Sequence, residues 1–272
     1  MINLEIMRYL KISLLSLACL LCSCKVSPDV DKGQEKTFQS FALMYTRLRS
    51  VSLYEQDRNG EKAIQLFGNP LRDPASGLDI RYNEYVYPDI YMKLCEKHDD
   101  LTYDHTVIVF PWDDYWSHQS FSADDFISVN ITSDSDYDEQ HPAGASLADI
   151  VRFVSLSSYQ FIRNGYIAYD WSSSNIKDLY TDLYGVTIRS DNKTTSGPGG
   201  FYPLNKLLSE LQPDDLKVFG PGVKEGWEDK GMLLAYLFFE HPPTLSKTHT
   251  FTVTMTTDDG KVFEDTITVT FE

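Results

Sequence analysis

The segment Phe110-Pro111-Trp112-Asp113-Asp114-Tyr115-Trp116 sets large aromatic rings beside two adjacent carboxylates. Rings of this size can stack on the apolar face of a pyranose while a nearby carboxylate accepts its hydroxyls. Trp112, Asp113, Asp114, Tyr115 and Trp116 therefore read as a candidate sugar platform. The two carboxylates suit glycosidic cleavage poorly, because that chemistry holds its acid and base across the scissile bond, not side by side in the chain. Tyr82, Tyr85, Tyr87 and Tyr91 form a second aromatic stretch of the same kind. Packing beneath a loop is the competing explanation for both.

Other constellations fall short of known chemistries. Asp134, Asp136 and Asp138 alternate as in a calcium loop, but the sixth and twelfth places of an EF-hand fall on Glu139 and Ala145 instead of Gly and Glu. They remain a weak metal candidate beside the simpler reading of a solvated acidic turn. Gly144-Ala-Ser146-Leu-Ala148 approaches a nucleophile elbow but lacks the preceding strand and the closing glycine. Ser146 reads better as a helix cap. Cys95 with His98 or His105 could make a thiolate pair. Since Cys95 ends the apolar run from Ile90 to Leu94, a packed core cysteine is the better expectation. His141 and His241 each precede proline and read as loop residues, and no HExxH or HxH pair occurs. Gly197-Pro-Gly-Gly200 and Gly220-Pro-Gly222 lack the trailing lysine of a phosphate loop. A hydrolase would have to draw on Asp113, Asp114, Asp124 or Asp125. No cofactor is expected.

The firmest chemistry is at the N-terminus. Arg8 and Lys11 precede an apolar stretch, Ile12–Leu21, about ten residues long and too short to span ~30 Å of hydrocarbon. It fits the core of a cleavable export signal. Leu21-Cys22-Ser23-Cys24 then reads as a lipobox, with the Cys24 thiol taking a diacylglycerol thioether. A further acyl chain such as palmitate on the new N-terminus would make the anchor stable, since one chain alone binds reversibly. Residues 24–37 are nearly devoid of apolar side chains and read as a flexible tether. The chain carries a net −16; residues 1–23 hold Glu5, Arg8 and Lys11, a net +1, leaving −17 on the mature part. So acidic a surface argues against nucleic acid and anionic lipid as partners. After loss of Cys19 and Cys22 and lipidation of Cys24, Cys95 stands alone, and no intramolecular disulfide can form.

What must position these residues is largely β. Strands are predicted at 41–54, 78–82, 85–95, 105–110, 126–132, 160–169, 186–190, 232–239, 249–256 and 262–271. Ile127, Val129 and Ile131 alternate with Ser128 and Asn130, as on a strand with one wet face. In the last two strands the apolar sets Phe251, Val253, Met255 and Ile267, Val269, Phe271 all fall on odd numbers. A three-residue Asp258-Asp259-Gly260 loop with left-handed Gly260 keeps them on one face, pairing Phe251 with Ile267 and Met255 with Phe263. Helical spacing appears in Leu147, Ile150, Val151, Val154; in Ile176, Leu179, Tyr180, Leu183; and in Leu204, Leu207, Leu208, Leu211. Residues 38–272 are thus expected to form an antiparallel β-sandwich of immunoglobulin or transthyretin type with about three short amphipathic helices inserted. The loop 134–144 is a candidate division between two subdomains.

Ile131-Thr-Ser-Asp134, Tyr137-Asp138, His141-Pro-Ala-Gly144, Ser146-Leu147 and Asp149-Ile150 resemble a stretch found in uncharacterised Bacteroides-type lipoproteins. So do Pro242-Pro-Thr244, His249-Thr-Phe-Thr-Val253 and Asp259-Gly260. Those families carry domain-of-unknown-function labels, so the resemblance implies export, lipidation, an outer-membrane home and a β-rich fold, and no activity. The expectation is a non-enzymatic envelope module held to the membrane by Cys24, with a glycan or an envelope protein as ligand. A structural subunit of an envelope assembly, signalled by an open edge at the C-terminal hairpin, and a cryptic hydrolase are the alternatives.

Overall fold

A computed structural model describes residues 34–58, 61–109, 120–171, 177–184, 200–219 and 231–272. Cys24, nearly all of the tether, and the platform residues Trp112, Asp113, Asp114, Tyr115 and Trp116 lie outside the described residues, as does the strand expected at 186–190. Along the chain run β1 (Gln34–Phe38), β2 (Met44–Thr46), β3 (Leu48–Arg58), β4 (Glu61–Pro70), β5 (Arg81–Tyr82), α1 (Pro88–Lys97), β6 (His105–Val109) and β7 (Ser120–Ser122). Then come β8 (Phe126–Ser133), β9 (Val151–Ser157), α2 (Tyr159–Arg163), α3 (Lys177–Tyr184), β10 (Tyr202–Leu207), β11 (Met232–Phe239), β12 (Thr248–Thr257) and β13 (Val262–Thr270). Two compact units emerge, a small one of residues 1–36 with 107–113 and a large one of 37–106 with 114–272. The loop 134–144 is internal to the large unit.

The fold is mainly β, and it is a sandwich. A five-stranded antiparallel sheet, ordered β10-β9-β11-β4-β3, faces a three-stranded antiparallel sheet, β13-β12-β8. Between them lies a core of Val51, Leu53, Ile64, Leu66, Val129, Ile131, Phe153, Leu237, Phe251, Val253, Met255 and their neighbours. The other face of the larger sheet is also covered. Ala63, Phe67, Val154, Leu156, Leu233, Tyr236 and Phe238 pack there against Phe41, Tyr45, Tyr91, Phe121, Phe161, Trp171 and Tyr180. That second layer holds the three helices and a small sheet, β5-β2-β7, in which β2 and β7 run parallel, a departure from the all-antiparallel expectation.

This double burial explains where the sequence misled. A strand covered on both faces has no polar side to alternate with, so its sequence becomes a continuous apolar run. Leu147, Ile150, Val151 and Val154 match a helical row, but residues 151–157 are β9, with Val151 and Phe153 facing one core and Val154 and Leu156 the other. Ser146 accordingly caps no helix; its hydroxyl donates to Asn130 Oδ1 at 2.5 Å. β4, buried through its centre, passed unnoticed for the same reason, whereas Leu204–Leu211 is the half-buried edge strand β10 followed by a 3-10 turn. The expected strand at 85–95 is instead α1. Pro88 opens it, Asp89 and Lys97 flank it with the right charges, and Tyr91, Leu94, Cys95 and His98 form its inner row. The stretch 160–169 holds α2, not a strand, and β1 takes up the end of the supposed tether through backbone pairing with β6. The helix expected around 176–183 is present as α3.

The C-terminal hairpin has the expected register, with Phe251 opposite Ile267 and Met255 opposite Phe263, and Gly260 at φ +84°. In β8 the alternation breaks at a bulge, where Ser128 pairs Thr256 but Phe126 pairs Thr257. The extra residue, Ile127, is turned out to solvent. The outer edge of β13 runs beside β3, where Asp265 accepts the Leu53 amide at 2.9 Å and Lys261 Nζ donates to the Leu48 carbonyl at 2.8 Å. The β8 edge is covered by the 144–147 segment, through Gly144 N to Ser133 O and Leu147 N to Ile131 O.

Candidate functional site

The second aromatic stretch splits. Tyr82 and Tyr91 are buried in the second core layer, while Tyr85 is largely exposed and Tyr87 half-exposed. Between β4 and β5 the chain makes a narrow hairpin. Leu71 and Ile80 are joined by a backbone hydrogen bond, Arg72 bridges Asp79, and Gly77 takes φ +71° at the tip. Asp73 Oδ1 accepts the Ala75 and Ser76 amides at 2.7 and 2.9 Å, so the tip is rigidly built. After β5 a second turn is fixed by Asn83, whose Oδ1 accepts the Tyr85 and Val86 amides at 2.9 and 2.8 Å. Tyr87 then stands at φ +55°, a left-handed conformation that costs a bulky residue energy, immediately before the Pro88 that starts α1.

These two turns wall an open groove of about 570 Å³, lined by Arg72, Leu78, Asp79, Arg81, Val86 and Tyr87 among others. Its volume lies in the range of small-molecule sites. The Tyr87 ring stands edge-to-face on buried Tyr82, with centroids 5.7 Å apart. Asp79 takes Arg72 Nε on one oxygen at 3.3 Å and an Arg81 guanidinium nitrogen on the other at 3.4 Å. Leu78 and Val86 add exposed apolar surface. The groove thus offers apolar faces, a carboxylate acceptor and guanidinium donors between two hydrogen-bonded turns.

Beneath α1 lies a closed polar relay. His98 is fully buried; its Nδ1 meets Tyr45 Oη at 3.0 Å and its Nε2 both oxygens of Asp125 at 3.0 Å. Lys97 Nζ joins Asp125 at 2.8 Å to Asp258 at 2.7 Å. Burial opposes the Asp125 charge, but His98 and Lys97 more than offset it and hold the carboxyl below its usual range. Nearby Asp100 receives the Phe41 and Ala42 amides and the Tyr166 hydroxyl, and its carboxyl is pushed up by burial. Cys95 is completely buried and its thiol is pushed up to about 12, chiefly by burial, so it is a packed core cysteine and no thiolate. These groups pin α1 to β2 and to the 124–126 turn. Where Lys97 emerges, a cleft of about 270 Å³ is lined by Asp124, Asp258 and Asp259. Burial raises the Asp124 carboxyl, which accepts the Leu48 amide at 2.8 Å.

The two stretches that carry the lipoprotein resemblance meet at one corner of the sandwich. Tyr137 is buried against Phe239, His249, Phe251 and Phe271, and its hydroxyl donates to the His241 carbonyl at 2.5 Å. Asp134, Asp136 and Asp138 do not converge. Asp134 accepts the Thr250 amide, Asp136 the Ala143 amide, and Asp138 the Gln140 and His141 amides. Among the described residues no group of three or more His, Cys, Asp or Glu is placed to hold a metal ion. His141, expected as a simple loop residue, is clamped between Asp138 at 2.8 Å and Asp149 at 3.0 Å. Ser133 Oγ lies 2.7 Å from His249 Nδ1, and His249 Nε2 meets the Ser246 carbonyl at 2.8 Å, the geometry of a nucleophile and an oriented base, yet both side chains are buried away from any substrate.

Sequence reasoning found Tyr85 and Tyr87 but not Arg72, Asp79 or Arg81, which approach them only through the hairpin. His98, considered there as a base for Cys95, instead bonds Tyr45 and Asp125 and completes the inner row of α1 as a buried polar anchor. Compared with known protein families, with curated proteins and with solved structures, the chain matches none.

Proposed function

We propose that this chain is an exported lipoprotein of the outer membrane, held by lipid on Cys24, whose large unit is a non-enzymatic binding module for a glycan or an envelope protein. The observation that carries the reading is the preorganised groove between the 71–80 hairpin and the 83–87 turn. Rigid walls spare the ordering entropy that a loose site would lose on binding. The strained Tyr87 backbone is the kind of feature that gathers at ligand sites. The non-enzymatic part is supported by the sealing of the His98–Asp125 and Ser133–His249 pairs away from solvent. Among the described residues no helix is long and apolar enough to cross a membrane.

A second reading, a hydrolase, draws on the cleft where Asp124 has a raised pKa beside Asp258 and Asp259. One screen weighs both. The mature protein, with Tyr87→Gly, Trp112→Ala and Asp124→Asn as paired variants, is tested against arrayed glycans and envelope proteins, with released reducing ends as a second readout. Binding lost with Tyr87→Gly supports the groove. Binding lost only with Trp112→Ala moves the site to 112–116. Turnover that disappears with Asp124→Asn overturns the non-enzymatic reading, and silence in both readouts sinks the binding module.

A further inference from the structure

We infer that the ligand of the 72–87 groove is a neutral oligosaccharide, and this rests on the reading of that groove as the binding surface. The lining carries Arg72 and Arg81 against Asp73 and Asp79, two charges of each sign. Both guanidiniums converge on Asp79, one per carboxylate oxygen. Both pairs are exposed, and the four charges sum to zero, so the groove offers neither an anion nor a cation a net Coulombic attraction. The net −16 of the chain adds long-range repulsion toward polyanions.

A sugar hydroxyl asks for something different. It donates and accepts at once, and the lining sets a carboxylate acceptor within 3.4 Å of guanidinium donors. Arg72 and Arg81 are both largely exposed, and each spends one nitrogen on Asp79 in these bonds. The apolar face of a pyranose would lie on Tyr87, whose ring is braced by Tyr82, with Val86 and Leu78 beside it. A peptide added as an extra strand is disfavoured by the walls themselves. The Asp73, Gly77 and Ile80 amides already donate to Leu78, Asp73 and Leu71 carbonyls, and the Tyr85 and Val86 amides to Asn83.

The test is native affinity electrophoresis of the mature lipoprotein in neutral detergent. Gels contain mannan, dextran or galactan, with polygalacturonate as the acidic control. Tyr87→Gly removes the ring and suits the left-handed backbone, so its thermal midpoint should not fall; Arg81→Ala tests the polar half independently. The expected result is retardation by at least one neutral polysaccharide, none by polygalacturonate, and free mobility for both variants. The inference is overturned if no neutral polymer retards the protein or if Tyr87→Gly is still retarded. Retardation by polygalacturonate alone, abolished by Tyr87→Gly, would keep the groove as a binding site and reject the neutral class.

Discussion

His141 shows how one side chain can hold a corner of the molecule. Burial works against its charge, but hydrogen bonds from its ring to Asp138 and Asp149 raise its pKa overall. Asp138 is also partly desolvated, yet the His141 ring and the Gln140 and His141 amides bring its carboxyl down. The signs of the two linkages differ. A raised imidazole stabilises below its unfolded value of about 6.5 and fades as pH climbs through the folded value; a depressed carboxyl stabilises above about 3.9 and fades as pH falls through its folded value. The corner is therefore held best between those unfolded values. Amide exchange at Gly144 and Leu147, corrected for intrinsic rates, should be slowest in that window and quicken on the alkaline side. His141→Gln should flatten the alkaline limb; an unchanged limb would show that the clamp does not titrate as described. At this scale the sequence was partly legible. Cys95 read as core because an apolar run led into it, whereas His141 gave no local sign of the carboxylate eight residues on.

Elements were legible where one face meets water and the other a core. The C-terminal hairpin could be registered to the residue because threonines mark the wet side of both strands and a single loop length reconciles them. Its register depends on Gly260 at φ +84°, with nothing within 4 Å of where a Cβ would sit. Gly260→Ala should thus cost backbone strain alone, about 1–2 kcal/mol. The denaturation midpoint should fall without change in the slope, and Gly260→Asn should lose less. A neutral Gly260→Ala would contradict the left-handed loop. Elsewhere β9 and β4 were misread or missed because burial on both faces erases period-two alternation, and period 3.6 then arises by coincidence. The α1 helix was misread for the opposite reason: tyrosine, valine and isoleucine over 85–95 suggest a strand by composition, while Pro88 at the helix start and the inner row mark a helix.

At the scale of the molecule, the large unit is built in three layers, with a groove at the edge of its second layer. Much of the second layer's aromatic density, including Tyr45, Trp171, Tyr180 and Tyr236, is fully buried, so aromatic content alone overstated how much surface is available to ligands. The proposed envelope role depends on the thioether, because two acyl signals convert reversible contact into stable anchoring. Mass spectrometry of the N-terminal peptide from the purified mature protein tests this most directly. The account predicts a peptide beginning at Cys24 and carrying diacylglycerol on sulfur with a further acyl chain on the amine. An unmodified Cys24, or a peptide that still includes residues 1–23, would contradict it.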